Sequence, residues 1–564
     1  MIRSFLLAAL LGSSALPAAA QSDAGAYLAG RAAQLMNDFE PSVEYLSRAL
    51  SVDPAQPVLA EALTGTYISL GDFDSAAEVG QSLRDSGSNS QIAALAILTN
   101  QAASGDWGAV LDDVEAGVTV GPLYDQLLLA WAMIGDGQIE DGLAQFDAVG
   151  ANTGQSVQAF GLYHKALALA SLERFDEAAA VFDETPDLQL TQRGLMAKIQ
   201  ILAQAGRLDE ARRALTEATG DTVSPVFARI DAALSEDRAP DFTIAPDVQA
   251  GVAEVSFDIA NAVAGETSPG YTLLYTRATQ TLRPSHEEAT LLSAILLEQL
   301  ERYGLAAEAY AQIPPDSPGF EQAELGRAEV LRAQGRDEES LQVIRDLTER
   351  FPENAAIHVT LGDTLREMAR FEEAREAYDQ AVPLLGADMA NQWLVYFARG
   401  IVEERLGAWD AADADFRMAL SLNEDQPQVL NYLGYSMVER GENLDEALSL
   451  IERAVEAEPE AGHIIDSLGW ARYQLGQYQE AVEPMERAVE LMPVDPVVND
   501  HLGDVLWAVG RKIEARFQWQ RALSFIDEDE PTDANPERIR RKLEIGLDQV
   551  LEEEGADPLQ MADG

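Results

Sequence analysis

The sequence predicts an all-α solenoid of about 14 helix-turn-helix units, arranged in one or two arrays. Three observations carry that prediction. A small residue returns at Ala294, Ala328, Gly362, Gly400, Gly434, Gly469 and Gly503, with gaps of 34, 34, 38, 34, 35 and 34 residues. Between those marks, apolar positions recur three to four apart, as on the buried face of a helix. Proline at Pro352, Pro459 and Pro493 closes the second helix of its unit, because it cannot continue one. A unit copied at such a period buries its apolar face only against the next copy, so length here counts repeats rather than cores.

From the N-terminus, residues 1–20 (MIRSFLLAALLGSSALPAAA) read as a cleavable secretory signal peptide. Arg3 supplies the charge, Phe5 to Leu11 the apolar run and Ala18 and Ala20 the small residues before the cut. The predicted location is therefore periplasmic, with the mature chain starting at Gln21. No later stretch is long and apolar enough for a membrane helix, so no membrane insertion is expected. With no cysteine, neither a disulfide nor a lipid-modified Cys anchor is available.

Residues 21–219 hold a divergent array whose unit marks are Gly30, Thr64, Leu98, Ala130, Ala166 and Ile199, spaced 34, 34, 32, 36 and 33 apart. A stretch at 220–247 follows, with an apolar helix near Val226 to Leu234 and the proline-rich, charged run SEDRAPDFTIAP. It is the candidate linker or hinge. The second array occupies 248–526, starting from the mark Ala260. Within its units Gly469 leads to a turn at Gly476, then Tyr478, Ala481, Ala488 and Pro493; Gly362 leads to Ala369, Phe371, Ala374 and Ala381. The aromatic just after the turn is expected to fill the gap left by the small residues. Residues 527–564 are expected to form an acidic loop, one capping helix over Arg538 to Glu553, and a tail.

Composition narrows the partners. Lys+Arg 39 against Asp+Glu 96 leaves a net charge of −57, a field that repels phosphate backbones and anionic headgroups, so no nucleic acid is expected to bind. The hydrophobic share of 47% separates the chain from acidic disordered polymers. No Gly-x-Ser-x-Gly elbow and no glycine-rich phosphate loop occurs, and no cofactor is predicted. Asp527 to Glu530 lack the glycine-centred loop that folds ligands around calcium. His463 with Asp466, and Asp500 and His501 with Asp504, could bridge a metal between adjacent helices, but polar residues lining a peptide groove explain the same letters.

The run Asp466-Ser467-Leu468-Gly469-Trp470 through Pro493, and Gly434 through Pro459, resembles the tetratricopeptide repeat. That resemblance implies a right-handed superhelix whose first helices line a concave groove for a partner peptide or protein. In that register Asn431, Tyr435, Asp466, Trp470, Tyr473, Asp500, Asp504 and Trp507 line the groove. Asn431, Asp466 and Asp500 share one slot and should form a ladder. The Lys/Arg pattern of the family's carboxylate-clamp members is absent, with Asp in its place, which favours a basic or neutral partner segment. Residues 432–435, 466–470, 499–504 and 514–519 also resemble a C-terminal module of exported, envelope-associated repeat proteins of Gram-negative bacteria. The expected function is a non-enzymatic interaction scaffold in cell-envelope assembly or maintenance. Its rival is a regulatory subunit of a periplasmic hydrolase, or a cryptic hydrolase with an acidic groove site.

Overall fold

Each repeat is an antiparallel helix pair whose geometry is set by two positions counted from its small residue. Seven residues on, the chain enters the left-handed region and reverses. This occurs in thirteen of the fourteen units, at Asn37, Gly71, Gly105, Gly137, Glu173, Gly206, Glu301, Gly335, Ala369, Gly407, Gly441, Gly476 and Gly510. Sixteen residues on, a side chain of the second helix enters the notch that the small residue leaves. A Cβ added at Gly362 would lie 2.7 Å from the Tyr378 ring, at Gly400 2.6 Å from Phe416, and at Gly503 2.3 Å from Trp519. The repeat of Gly434 carries an extra left-handed residue, Asn443, and its notch takes Ile451, seventeen on. The expectation that the aromatic after the turn fills the gap is thus corrected. Phe371 and Tyr478 open the second helix, about two turns too early to reach the crossing point, and are only half-buried.

The computed structural model describes residues 18–54, 56–150, 155–220, 223–386, 391–526, 534–556 and 559. Among these are 31 α-helices and no strand. Fourteen helix pairs account for the fourteen units, from Ala18–Leu35 with Phe39–Val52 to Pro496–Ala508 with Lys512–Phe525. The signal peptide expected over 1–20 falls outside the described residues, apart from the last three, which begin the first helix. The acidic loop at 527–533 also lies outside them.

Two compact units divide between Val343 and Ile344, well beyond the stretch at 220–247 expected to separate the arrays. In the first unit, the pair Val248–Val263 and Pro269–Leu282 packs against the first helices of four earlier repeats: Pro57–Leu70, Gln91–Ser104, Pro122–Gly135 and Gln155–Ser171. This inserted pair is matched to its bed. Gly251 has no side chain where Trp131, fully buried, would stand 2.4 Å from a Cβ. Tyr124 and Ser256 share a hydrogen bond at 3.3 Å, and Arg277 Nε donates to the Ser69 carbonyl at 3.1 Å.

The stretch before the insertion is tied down along its backbone. Thr243 N donates to Gln200 Oε1 at 2.9 Å, Gln204 Nε2 to the Pro240 carbonyl at 2.8 Å, and Arg283 Nη2 to the Thr243 carbonyl at 2.8 Å. Ile244 and Ala245 are buried. A run rich in proline and charge is therefore pinned here by side chains from both flanking repeats. Beneath it lies an ionic cluster. Arg193 grips Glu254 with Nε and Nη2 at 2.7 and 2.6 Å and reaches Glu288 with Nη1 at 2.6 Å. Burial alone would raise the Glu254 carboxyl, but Arg193 and His286 hold it well below the usual carboxylate range.

The second unit contains the repeats from Ala355 onward and ends in two short helices, Pro536–Ile545 and Leu547–Glu554. The single cap expected over Arg538 to Glu553 is broken at Gly546 (φ 88°), where a Cβ would lie 2.6 Å from the Trp507 ring. The break lets the indole sit against backbone.

Two stability outcomes follow from the notch and the turn. Gly503→Leu should lower stability by about 1–3 kcal/mol through overpacking and should cost more than Gly469→Leu. The reason is that Gly503 faces the rigid Trp519 ring, whereas Gly469 faces the flexible Met485. Ala369→Gly, at φ 56°, should raise stability by up to about 1.5 kcal/mol. It removes a left-handed penalty of about 1–2 kcal/mol while adding about 0.4–1 kcal/mol of unfolded-state entropy. Urea unfolding midpoints of the three variants check both.

Candidate functional site

The first helices of the second unit carry the residues expected to line the groove. Neighbouring first helices pack on one another: Pro427–Arg440 on Gly462–Gln474, and that helix on Pro496–Ala508. The shared slot therefore faces the next first helix as much as it faces open space. The ladder expected of Asn431, Asp466 and Asp500 is largely used in that way.

Asp466 accepts from His501 Nδ1 of the following repeat at 3.0 and 3.2 Å. The same imidazole stacks on Trp470, with ring centroids 4.1 Å apart and planes 12° from parallel. Tyr473 stacks on Trp470 at 4.8 Å, also 12° from parallel. Both rings pack against the indole, which is left half-buried, and Tyr473 is itself buried. Burial by itself would lower the His501 pKa. The Asp466 carboxylate, with Asp500 and Asp504 behind it, reverses the sign and raises it.

Asp500 and Asp504 meet the capping helix Pro536–Ile545. Lys542, with no exposed surface, sits between them, its Nζ 2.9 Å from both Asp500 oxygens and 2.7 Å from both Asp504 oxygens. Asp504 also accepts from Trp519 Nε1 at 2.9 Å and lies 3.5 Å from Arg538. Burial and the adjacent Asp504 push the Asp500 carboxyl upward, against the pull of Lys542. Trp507 is buried, donating to Asp548 at 3.0 Å with Lys512 4.4 Å over its face. Asp500, Asp504 and Trp507 were expected to face a partner. Instead their polar groups are met by the chain's own cap, which stands where a further repeat would place its first helix.

Asn431 and Tyr435 remain, one repeat earlier. Asn431 is buried, and its Oδ1 has no hydrogen-bond partner among the described residues. Tyr435 is half-buried, and Tyr432 beside it is 37% exposed. Sequence reasoning passed over Glu404, four residues after Gly400, in the slot that Tyr473 and Trp507 occupy in their own repeats. Burial, with Glu439 nearby, pushes its carboxyl up to about 7. Extending the register one repeat further upstream would have found it. His463 is exposed. Among the described residues, no three His, Cys, Asp or Glu side chains converge on a common metal position, and no helix is long and apolar enough to cross a membrane.

Residues 325–392 and 438–496 match one tetratricopeptide-repeat model, and residues 25–56 match another. The chain thus carries tetratricopeptide repeats over these residues, and proteins with such repeats typically act as protein-interaction scaffolds. It is 26% identical over 187 residues to TPR repeat-containing protein PA4667 of Pseudomonas aeruginosa, covering 33% of this chain and 31% of that one. It is 29% identical over 157 residues to BBSome complex member BBS4 of Bos taurus, covering 28% and 29%. The chain thus spans less than a third of the length of either relative. Similar solved structures include a tetratricopeptide repeat protein from Parabacteroides merdae (17% identity, 46% of this chain and 98% of that one, TM-score 0.37). Another is the Cut9–Hcn1 hetero-tetramer of APC/C (13% identity, 93% and 96%, TM-score 0.36).

The buried triad makes a sharp test of the cap. Lys542→Ala should destabilise the second unit by about 3–5 kcal/mol, because two buried carboxylates lose their cation. Adding Asp500→Asn and Asp504→Asn to Lys542→Met should recover most of that loss, read by thermal unfolding. The pH dependence has a definite sign. A histidine whose folded pKa is raised contributes stability fully present below its unfolded value of about 6.5, and loses it as pH rises through the folded value. His501→Gln should therefore flatten the fall in stability above about pH 6.5 and leave the region below pH 5 unchanged in slope.

Proposed function

We propose that this protein is a non-enzymatic scaffold that holds a protein or peptide partner against the first helices of its second unit. The observation that carries this reading is the contrast between the two units. In the first, the first helices of four repeats are covered by the 248–282 pair. In the second, Tyr432 is exposed and Tyr435 half-buried on a first helix, beside the buried Asn431, whose amide oxygen has no hydrogen-bond partner among the described residues. Glu404, the neighbouring acid, gives this surface its preference for a basic or neutral segment. A partner ammonium or guanidinium beside Glu404 would favour the ionised carboxylate and displace a proton. An aromatic such as Tyr435 supplies contact area at small entropic cost.

The leader-like residues 1–20 support export to the periplasm, and the resemblance of the C-terminal repeats to envelope-associated proteins supports a role in envelope assembly or maintenance. The hydrolase reading gains no comparable support, since the acids of the expected groove site are met by His501 and Lys542.

Photo-crosslinking tests the surface. A benzoylphenylalanine placed at Tyr435 or at Glu404 should capture the same partner from envelope extracts, and one at Ile513, 87% exposed on a second helix, should not. Equal capture from all three would sink the proposal. Binding of the captured partner should tighten between pH 6 and pH 8 as Glu404 ionises, and that gain should vanish in Glu404→Gln. Raised salt should weaken it, as the screening length falls to about 8 Å at physiological ionic strength. N-terminal sequencing of the mature protein should begin at Gln21, and an intact Met1 would overturn export.

A further inference from the structure

The inserted helix pair of the first unit does not fill its bed completely. A cavity of 610 Å³ remains beside it, between the helix Gln155–Ser171, the loop that leads from Glu184 to Thr191, and Asp258 of the inserted helix. Phe160, Leu188 and Leu190 make its walls largely apolar, and Tyr163 is also in its lining. A carboxylate in such surroundings normally has a cation. Asp258 does not: no Lys or Arg among the described residues lies within ion-pair distance of it, and its one side-chain partner is His164, 3.1 Å from Oδ2.

That histidine is held neutral by its other neighbour. Trp131 Nε1 lies 3.1 Å from His164 Nδ1, and an indole N–H can only donate. Nδ1 must therefore carry the lone pair, and Nε2 carries the proton that it donates to Asp258. A second proton on the ring would set two N–H groups against each other inside a site where His164 and Trp131 have no exposed surface. Asp258 consequently receives a hydrogen bond without charge compensation. Its Oδ1 accepts none within the described residues, while its side chain is 11% exposed. Glu184 and Asp187 add negative charge to the same lining.

We infer that this cavity is a binding site for an ammonium or guanidinium carried on an apolar stem. The stem packs among Phe160, Leu188 and Leu190, and the cation pairs with Asp258 Oδ1. Trp131 and His164 are positioning residues, which fix the orientation of the carboxylate and keep its charge uncompensated. The same chemistry describes a free organic amine and the side chain of Arg or Lys on a peptide.

Calorimetric titration of the full chain separates the outcomes. Phenethylamine should bind and its neutral isostere 2-phenylethanol should bind at least tenfold more weakly. Asp258→Asn should remove that preference. Leu188→Arg, which places a guanidinium in the cavity from the loop and leaves the Asp258–His164 bond untouched, should also abolish amine binding. The blocked peptide acetyl-Leu-Arg-Leu-amide distinguishes the sources. Binding that is lost in both variants assigns the site to a peptide side chain, and amine binding without peptide binding assigns it to a free amine. Equal affinity for phenethylamine and 2-phenylethanol, or amine affinity within twofold of wild type in both variants, would overturn the inference.

Discussion

The meeting of a small residue on most first helices with a large one about sixteen residues later is the constraint on which this architecture depends. Two helices can cross closely only where one presents no bulk. The notch at Gly362, Gly400 or Gly503 admits a tyrosine, phenylalanine or tryptophan that would otherwise hold the helices apart. The same offset relates Ala130 to Phe146 and Ala294 to Tyr310, all of them buried. The left-handed residue seven positions on then returns the second helix at the right height to deliver that side chain. Notch, turn and knob form a single device. It explains why the period is kept even where little else of the repeat pattern survives.

An excess of acid on this scale has to be arranged rather than merely tolerated. On the outer surfaces it is spent in arginine bridges between repeats, such as Arg174 to Glu140, Arg207 to Asp183 and Arg511 to Glu486, each worth little alone. Inside, buried acids are answered by neighbouring elements: Asp466 by His501 and Asp500 and Asp504 by Lys542 from following helices, and Glu254 by Arg193 from an earlier one. Removing the base from such a pair is far more costly than never having had the pair. This fixes the order of neighbours along each unit. Asp258 stands apart because its partner is a neutral imidazole.

The inserted pair changes what the repeats can do. A repeat array ordinarily offers its inward face along its whole length. Here the first unit has folded two of its own helices against that face, anchored by Gly251 under Trp131 and by Arg193 on Glu254. The first helices of four repeats in the first unit are thereby covered, with a cavity left beside Asp258, whereas in the second unit exposed or half-buried surface remains at Tyr432, Tyr435 and Glu404.

By itself the sequence determined the helix pairs, their number and their turns, because these follow from spacing along one chain. Small residues at Ala294 to Gly503 marked seven crossings, and the same register extended back to Gly30 located seven more. It could not place the 248–282 pair, whose letters are those of another repeat, because insertion depends on complementarity with residues more than a hundred positions away. The acid ladder misled for a related reason. Asp466, Asp500 and Asp504 share a helical face legible from the register, but whether that face meets solvent or a lysine is decided by which helix comes next. Lys542 lies 42 residues from Asp500 and beyond the last repeat. Only the tertiary structure could bring it there, since the gain from burying a cation between two carboxylates exists only when all three are packed together.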